Sequence, residues 1–248
     1  MNCCRSILMI GLLLCCAGFG QAAGKPDKLA QADAWLASPA LDYQKAQQAL
    51  ALYESLLPGN PALLTRLTRA CFILGDLAPK SERGRYYAKG LTYADKLLAH
   101  EPKGVAGHYW KALNLSGQAD VGTSMQGFKL LPKIMEELKL VLTLDETYDD
   151  AGGHRVLGRI YFEAPAWPIS VGDKKKSLHH LTTAVLLAPN YSTNHLFLAE
   201  TMLDLGQKHQ ARAELQKVLK DGLHALTPKD LQEDRQEAQR LLKEMAGN

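Results

Sequence analysis

Four basic side chains are the residues of this sequence best suited to bind a ligand, namely Arg69, Lys111, Arg155 and Arg159. An arginine can hold a carboxylate through two parallel hydrogen bonds. On one shared surface, these residues would bind a carboxylate-bearing small molecule or an acidic peptide segment. The alternative is that they are ordinary helix-surface residues. Their charges would then be paired with neighbouring carboxylates, such as those of Asp149, Asp150 and Glu163.

Histidines are the other residues that could do chemistry, because a neutral imidazole binds metal ions. His179 and His180 are adjacent, so on a helix their side chains point about 100 degrees apart and do not suit one metal ion. His154 and His195 could meet across neighbouring helices, but two histidines are an incomplete metal site. We therefore expect these histidines to be packed or half-exposed residues and predict no metal site.

The sequence contains none of the following motifs of catalytic or metal sites. There is no P-loop, no H-E-x-x-H motif, no G-x-S-x-G motif and no pair of cysteines at ligand spacing. Four cysteines precede residue 17, and the remainder of the chain has only Cys71, which we expect to be a small buried hydrophobic residue. The sequence predicts no catalytic residue and no cofactor, and therefore no enzyme.

Composition excludes some classes of partner. The 248 residues are 46% hydrophobic and 22% charged, which is typical of a globular protein. The net charge is only +3, and the two signs are mixed along the chain. Nucleic-acid binding usually requires a clustered basic face, so we expect no nucleic-acid partner.

The first 23 residues follow the plan of a signal peptide. Arg5 supplies a positive start, residues 7–16 are apolar, and small residues follow before residue 24. The interpretation is an exported, periplasmic protein whose mature chain is residues 24–248. A retained N-terminal anchor is one alternative. Another is a lipoprotein anchor on Cys15 or Cys16, although the residues before these cysteines fit that pattern poorly.

The rest of the chain repeats a helical pattern. Ala46, Gly90, Ser177 and Ala211 are each followed four residues later by an apolar residue, and the stops at Pro189 and Leu223 are 34 residues apart. This is the period of the tetratricopeptide repeat (TPR). The predicted fold is all-α, a right-handed superhelical solenoid of antiparallel helix pairs, and a generic helical bundle is the alternative.

In such a solenoid the first helix of each pair lines a concave groove. The residues predicted to face this groove are Arg69, Lys111, Arg155, Arg159, Phe162 and Glu200. Whether the groove would bind a small molecule or a peptide is left open.

A proline-containing stretch, residues 163–173, interrupts the repeats and predicts an insertion loop. Pro165 and Pro168 cannot donate backbone hydrogen bonds, so the loop should be stiff. We expect Trp167 to fold back onto the array, with presentation to a partner as the alternative. Lys174 and Lys175 then begin a helix, whose N-terminus carries a partial positive charge that disfavours lysines. An acidic partner would offset this repulsion. The alternative is that both lysines are simply solvated.

The C-terminal residues 228–246 predict a capping helix. Thr227 is a suitable N-cap, and Pro228 suits the first helical position. The polar face of this helix would keep the end of a solenoid soluble.

Several motifs resemble one family of helical-repeat proteins. They are the Gly152-Gly153 pair, the Leu157-Gly158-Arg159-Ile160-Tyr161 helix, the Gly172-Asp173-Lys174-Lys175 restart and the Asn194-His195 helix. Together they resemble the T-component (TatT) family associated with TRAP transporters, well in the second half of the chain and loosely in the first. That resemblance implies a non-enzymatic periplasmic adaptor whose partner is the solute-binding subunit of an uptake system for small organic anions.

Two further points follow from the resemblance. Members of that family are often lipoproteins, so membrane attachment here would be through an N-terminal anchor, and homo-oligomerisation is left open. The alternative function is a general scaffold of the cell envelope that binds peptide segments and has no role in transport.

Overall fold

A computed structural model describes residues 27–58 and 60–247, and this part of the chain forms eleven α-helices and one short 3-10 helix, Pro61–Leu63. The α-helices are α1 Lys28–Leu36, α2 Tyr43–Leu56, α3 Leu64–Leu77, α4 Lys80–His100, α5 Val105–Val121, α6 Ser124–Leu144, α7 Tyr148–Glu163, α8 Lys174–Leu187, α9 Ser192–Asp204, α10 Lys208–Val218 and α11 Pro228–Gly247.

The helices pack as consecutive antiparallel pairs. Each odd-numbered helix from α1 to α9 contacts the even-numbered helix that follows it, and α3, α5, α7 and α9 also contact one another in sequence. This arrangement places the first helices of the pairs side by side along one face of the array. The predicted all-α solenoid of helix pairs is confirmed. The predicted signal peptide lies outside the described residues.

Small side chains lie where the helices cross. Ala46, Gly90, Ser177 and Ala211 are all buried, as the repeat pattern predicts. At Gly158 of α7, an added Cβ would lie 2.5 Å from Leu181 Cγ on α8. This glycine therefore allows α7 and α8 to approach without a side chain between them.

Several helix starts follow their sequence signals. Asp173 accepts hydrogen bonds from the backbone amides of Lys175 and Lys176, which makes it the predicted N-cap of α8. Thr227 Oγ1 accepts from the Asp230 amide at 3.2 Å, and Asp230 Oδ2 accepts from the Thr227 amide at 2.9 Å. This reciprocal pair satisfies two backbone donors at the start of α11.

Trp167, in the loop between α7 and α8, does not fold back onto the array, so that prediction was wrong. Trp167 is 85% exposed and Ile169 is 72% exposed. The loop closes on itself instead, because the Gly172 amide donates to Pro165 O at 2.9 Å and the Asp173 amide donates to Tyr161 O at 2.9 Å. These bonds hold the tip of the loop away from the helices.

The buried apolar residues of the described part of the chain form five clusters along the array. Cys71 lies fully buried in the first core cluster, and burial raises the pKa of its thiol to about 12. The thiol is therefore protonated and unreactive at neutral pH, as expected for a small hydrophobic residue. In the described ranges no helix combines the length and the apolarity that a membrane span requires.

Candidate protein-interaction groove

The face formed by the first helices, α1, α3, α5, α7 and α9, is called the groove below. Its open part is a cavity of about 650 Å³, called the groove cavity. Side chains of α1, α3, α5 and α7, together with Tyr53 of α2, line it on one side, and residues 223–228 together with Leu231 line it on the other. The polar and aromatic lining residues are Asp33, Tyr53, Thr65, Arg66, Arg69, Trp110, Tyr148, Asp149, His224 and Thr227.

Aromatic rings form the floor of the groove cavity. The Trp110 ring lies 5.1 Å from the ring of Tyr109 in an edge-to-face arrangement, and Tyr109 lies 5.4 Å from Tyr148. Trp110 Nε1 also donates to Tyr148 Oη at 3.2 Å. Buried rings with satisfied polar atoms make a rigid surface that loses little conformational entropy when a partner binds.

Two arginines of α3 stand above this floor, one helical turn apart. Arg66 Nε donates to Asp33 Oδ1 at 3.0 Å, and Tyr53 Oη donates to the same oxygen at 2.5 Å. The guanidinium of Arg69 lies over the Trp110 ring at 5.9 Å and donates to Leu226 O at 3.2 Å. Both arginines are exposed, so each keeps donors available for a ligand.

The chain's own C-terminal segment, residues 223–234, occupies much of the groove. Leu226 packs against the core cluster around α3 and against the Trp110 cluster. The His224 amide donates to Asn190 O at 3.0 Å, and the Ser192 amide donates to His224 O at 2.9 Å. The groove therefore already holds one short stretch of polypeptide, around His224 and Leu226, through both side-chain and backbone contacts.

The start of α11 is bound to the groove as well. Asp234 is buried and accepts hydrogen bonds from the hydroxyls of Ser192 and Thr193 on α9. Burial raises the pKa of Asp234, although these hydrogen bonds oppose the effect. The helix predicted as a terminal cap thus packs on α9 and α10 and also contributes its first turns to the groove.

Arg155 is not a free groove residue, which corrects the sequence-based prediction. It is buried, and it donates to Tyr109 Oη and to Asp149 Oδ2, each at 2.9 Å. It also donates to Asp150 O at 3.0 Å, and its guanidinium lies 4.1 Å from the centre of the Tyr191 ring. A side chain engaged on all sides holds the fold together and cannot bind a ligand.

The backbone that Arg155 holds is unusual. Asp149, Asp150 and Ala151 have φ values of 51°, 55° and 59°, which is the left-handed helical region. For a residue with a side chain, that region costs about 1–2 kcal/mol. The carbonyls of this turn are bound by Arg155, and Asn194 Nδ2 donates to Asp150 O at 3.1 Å. These buried polar contacts stabilise the turn at the groove wall.

Arg159, Phe162 and Glu200 lie together between α7 and α9. Arg159 Nε is 2.6 Å from Glu163 Oε1, and a terminal nitrogen of the same guanidinium contacts Glu200. The Arg159 guanidinium also lies 5.3 Å from the centre of the Phe162 ring. Its charge is paired by Glu163, as the alternative interpretation allowed, and additionally by Glu200.

Lys111 does not face the groove, so its predicted position was wrong. Its Nζ lies 3.0 Å from Asp95 Oδ1 on α4 and 3.2 Å from Glu137 Oε1 on α6. Both partners belong to second helices, which lie on the other side of the array. Trp167 lies in the α7–α8 loop, and Lys174 and Lys175 are the first residues of α8; none of the three lines the groove cavity.

The histidines pair differently from the expectation. His154 Nδ1 lies 3.0 Å from Nδ1 of His180, whereas His195 contacts Glu214 Oε2 at 2.6 Å and Pro189 O at 2.8 Å. Burial, with the neighbouring charges of His154, His179 and Lys176, lowers the pKa of His180 to about 4. Within residues 27–58 and 60–247, no group of three or more His, Cys, Asp or Glu residues is placed to hold a metal ion.

Sequence reasoning missed Arg66, Asp33 and His224 as groove residues. Arg66 had a detectable signal, because it lies three residues before Arg69 and therefore on the same helical face. His224 had none, since its position depends on the return of the chain into the groove after α10.

Comparison with solved structures supports the architecture. The chain is similar to the crystal structure of TTC0263, a thermophilic TPR protein of Thermus thermophilus, with a TM-score of 0.61 and 23% sequence identity. The alignment covers 80% of this chain and 92% of that protein. At this identity the similarity concerns the fold.

Comparison with curated proteins finds no match. The resemblance to the TRAP-associated T-component family stays a prediction. A family model described as regulator of microtubule dynamics protein 1-3 matches residues 28–167, which is more than half of the chain. The chain therefore belongs to the family of the regulator of microtubule dynamics proteins 1-3.

Proposed function

We propose that the protein is a non-enzymatic TPR-type adaptor that binds a segment of a partner protein in the groove cavity. The observation that carries this proposal is the C-terminal segment in the groove. The groove holds that segment by a bond from Arg69 to a backbone carbonyl and by backbone pairing at His224. Contacts of this kind are compatible with many amino-acid sequences, because they are hydrogen bonds to the main chain of the bound segment.

The cavity beside that segment suits a particular kind of ligand. Its floor is aromatic, and Arg66 and Arg69 stand at its edge with exposed guanidinium groups. Buried aromatic residues and arginines are the side chains that contribute most to binding at protein interfaces. A peptide segment with an apolar side chain followed by a carboxylate would use both features.

For the partner, we propose the solute-binding subunit of a TRAP-type uptake system for small organic anions, in the periplasm. The support is the likeness of the Leu157–Tyr161 and Gly172–Lys175 motifs to the T-component family, together with the signal-like first 23 residues. The alternative within this class is a cell-envelope scaffold that binds peptide segments and has no transport role.

The family match supplies a second candidate partner. The name of the family attributes regulation of microtubule dynamics to its members, and the matched residues 28–167 include α3 with both cavity arginines. A microtubule-binding adaptor would use the same cavity. Cosedimentation of the purified protein with polymerised tubulin tests this candidate directly.

The deciding experiment is titration of the purified protein with a purified TRAP-type solute-binding protein of the same organism. We expect the double substitution Arg66→Ala and Arg69→Ala to weaken binding at least tenfold, because it removes the exposed donors of the cavity. The control is Arg240→Ala, which removes an exposed arginine whose ion pairs, with Glu237 and Glu244, lie within α11.

The possible results separate the candidates. Wild-type affinity in the double variant would reject the groove cavity as the binding site. If the solute-binding protein does not bind but another envelope protein does, and the double variant loses it, the scaffold alternative is supported. Circular dichroism of each variant would show that the helical array is retained.

A further inference from the structure

Two neighbouring turns of the array expose large apolar side chains to solvent. At the α5–α6 turn, Met125 is 64% exposed and Phe128 is 43% exposed. At the α7–α8 loop, the exposed side chains are Trp167 and Ile169, described above. Soluble proteins rarely gather such residues on the surface without a binding role.

The two turns lie at the same end of the array. In consecutive antiparallel pairs, every turn from a first helix to its second helix falls at one end. Leu130 and Leu131 of α6 and Val171 of the α7–α8 loop also pack against the same core cluster, which contains Leu138 and Leu157. The exposed apolar residues of the two turns therefore border one surface, called the turn face below.

The α7–α8 loop is built to hold its apolar tip outward. The Ile169 amide donates to Ala166 O at 3.1 Å, in addition to the bonds that close the base of the loop. An added Cβ at Gly172 would lie 2.0 Å from Ala164 O, so only glycine allows the two arms of the loop to come this close. Trp167 is thus exposed on an ordered loop.

Lysines lie in the same two segments of the chain as these apolar residues. The stretches 121–133 and 164–176, which include the two turns and the first residues of α6 and α8, contain five lysines and a single acidic residue, Asp173. Lys129, Lys133, Lys175 and Lys176 are exposed, and Lys174 is half-buried beside Asp204 at 3.5 Å. Asp173 accepts hydrogen bonds at the start of α8, and five lysines against this one aspartate give the two stretches a formal charge of +4.

We propose that the turn face docks the protein onto the surface of an anionic phospholipid bilayer. Tryptophan suits the boundary between headgroups and acyl chains, because its ring is apolar and its N–H is polar. Lysines near such a surface are attracted to the anionic headgroups. The combination of exposed Trp, Phe, Met and Ile with exposed lysines in the same segments fits a lipid surface better than an apolar protein interface, from whose centre lysine is depleted.

This inference does not depend on the groove or on an N-terminal anchor. It differs from the sequence-based expectation, in which membrane attachment was limited to the N-terminus. Docking through the turn face would leave the first helices and the groove cavity accessible to a protein partner.

The test is cosedimentation of the purified full chain with vesicles of phosphatidylcholine alone or mixed with phosphatidylglycerol. We expect binding to the mixed vesicles, with a blue shift of tryptophan emission that is lost in Trp167→Leu. Substituting Lys129, Lys133 and Lys175 by serine should weaken binding about fivefold per lysine. Phe128→Ala together with Trp167→Ala should weaken it at least fivefold.

A matched control changes one leucine and one lysine at the opposite end of the array, as Leu186→Ala with Lys103→Ser. Leu186 is 75% exposed, and both residues lie where second helices lead to the next pair. The apolar residues 7–16 are present in every variant, so differences among variants report on the turn face. The proposal would be overturned if the control, the lysine variant and the Phe128→Ala, Trp167→Ala variant all bound the mixed vesicles equally.

A protein partner would give a different result. Binding to an acidic polypeptide such as polyglutamate that the lysine substitutions abolish, with no dependence of vesicle binding on Trp167 or Phe128, would assign the face to an acidic protein. That outcome would also overturn the proposal.

Discussion

At the scale of single residues, the environment of a side chain decides its role more than its type does. Arg155 and Arg69 are both arginines of first helices, yet one is buried among Tyr109, Asp149 and Tyr191 and the other is exposed at the groove cavity. A buried arginine with this many partners stabilises the fold, because removing it would leave several polar groups unpaired. Only the exposed arginine is available to a ligand.

The His154–His180 pair predicts a pH dependence of stability at this scale. The pKa of His180 is lowered to about 4, and that of His154 is also lowered, in both cases mainly by burial. A histidine with a lowered pKa contributes stability that is present above its ordinary pKa near 6.5 and is lost as the pH falls through the folded-state value. We expect the protein to lose roughly 1–3 kcal/mol between pH 7 and pH 4 through this pair.

Thermal unfolding followed by circular dichroism over that pH range checks the prediction. The variant His180→Gln should show a shallower fall of melting temperature with acidification than the wild type. The control His209→Gln removes an exposed histidine and should retain the wild-type profile. Identical profiles for the wild type and His180→Gln would contradict the assignment.

At the scale of helices, close approach within a pair depends on the small residue at the crossing. Gly158 faces the fully buried side chain of Leu181, and an added Cβ would lie 2.5 Å from Leu181 Cγ. Glycine at the middle of a helix has an unfavourable propensity, so its presence at this position is explained by packing. The same reasoning accounts for the buried Ala46, Ser177 and Ala211.

The substitution Gly158→Ala should therefore destabilise the protein by about 1–3 kcal/mol, because overpacking forces α7 and α8 apart. The matched control is Gly127→Ala in α6, where the nearest atom to an added Cβ is Ala119 O at 3.6 Å. With ordinary contact distances, the control should raise stability by up to about 1 kcal/mol through helix propensity. Urea unfolding of both variants measures the difference, and an equal effect of the two alanines would contradict the packing explanation.

At the scale of the whole molecule, the chain closes its array with its own C-terminus. Ala238 and Leu241 of α11 pack with Leu196 and Leu215 in the last core cluster, while Leu226 packs in the groove near α3. One segment therefore connects the two ends of the array through contacts distant in sequence. The groove cavity exists in its present form only because residues 223–228 supply one of its walls.

Removal of residues 223–248 should destabilise the remaining helices by about 3 kcal/mol or more, because each buried leucine contributes about 1.5–3 kcal/mol. The cluster around Leu196 and Leu215 would be exposed, so size-exclusion chromatography should show self-association. Removal of residues 246–248 alone is the control and should change little. A truncated chain that stays monomeric with the wild-type melting temperature would show that the C-terminal segment does not complete the array.

The sequence by itself determined the fold class, because helical periodicity and the regular spacing of small residues are local patterns that can be recognised in the amino-acid sequence alone. It also identified Asp173 as an N-cap and Cys71 as a buried hydrophobic residue, since both depend on near neighbours in the chain. Its placement of Arg69 on the groove side of a helix rests on one helical projection, and Arg69 lines the groove cavity in the structure.

Only the tertiary structure decided which basic residues are free. The pairing of Lys111 with Asp95 and Glu137, and the enclosure of Arg155 by Tyr109 and Tyr191, depend on contacts between helices that a projection of one helix cannot describe. The return of residues 223–234 into the groove and the outward position of Trp167 are likewise set by long-range packing and by loop hydrogen bonds. The physical reason is that hydrophobic periodicity indicates only which side of a helix is apolar. The hydrogen-bond or ion-pair partner of each polar side chain depends on which segments of the chain pack against that helix.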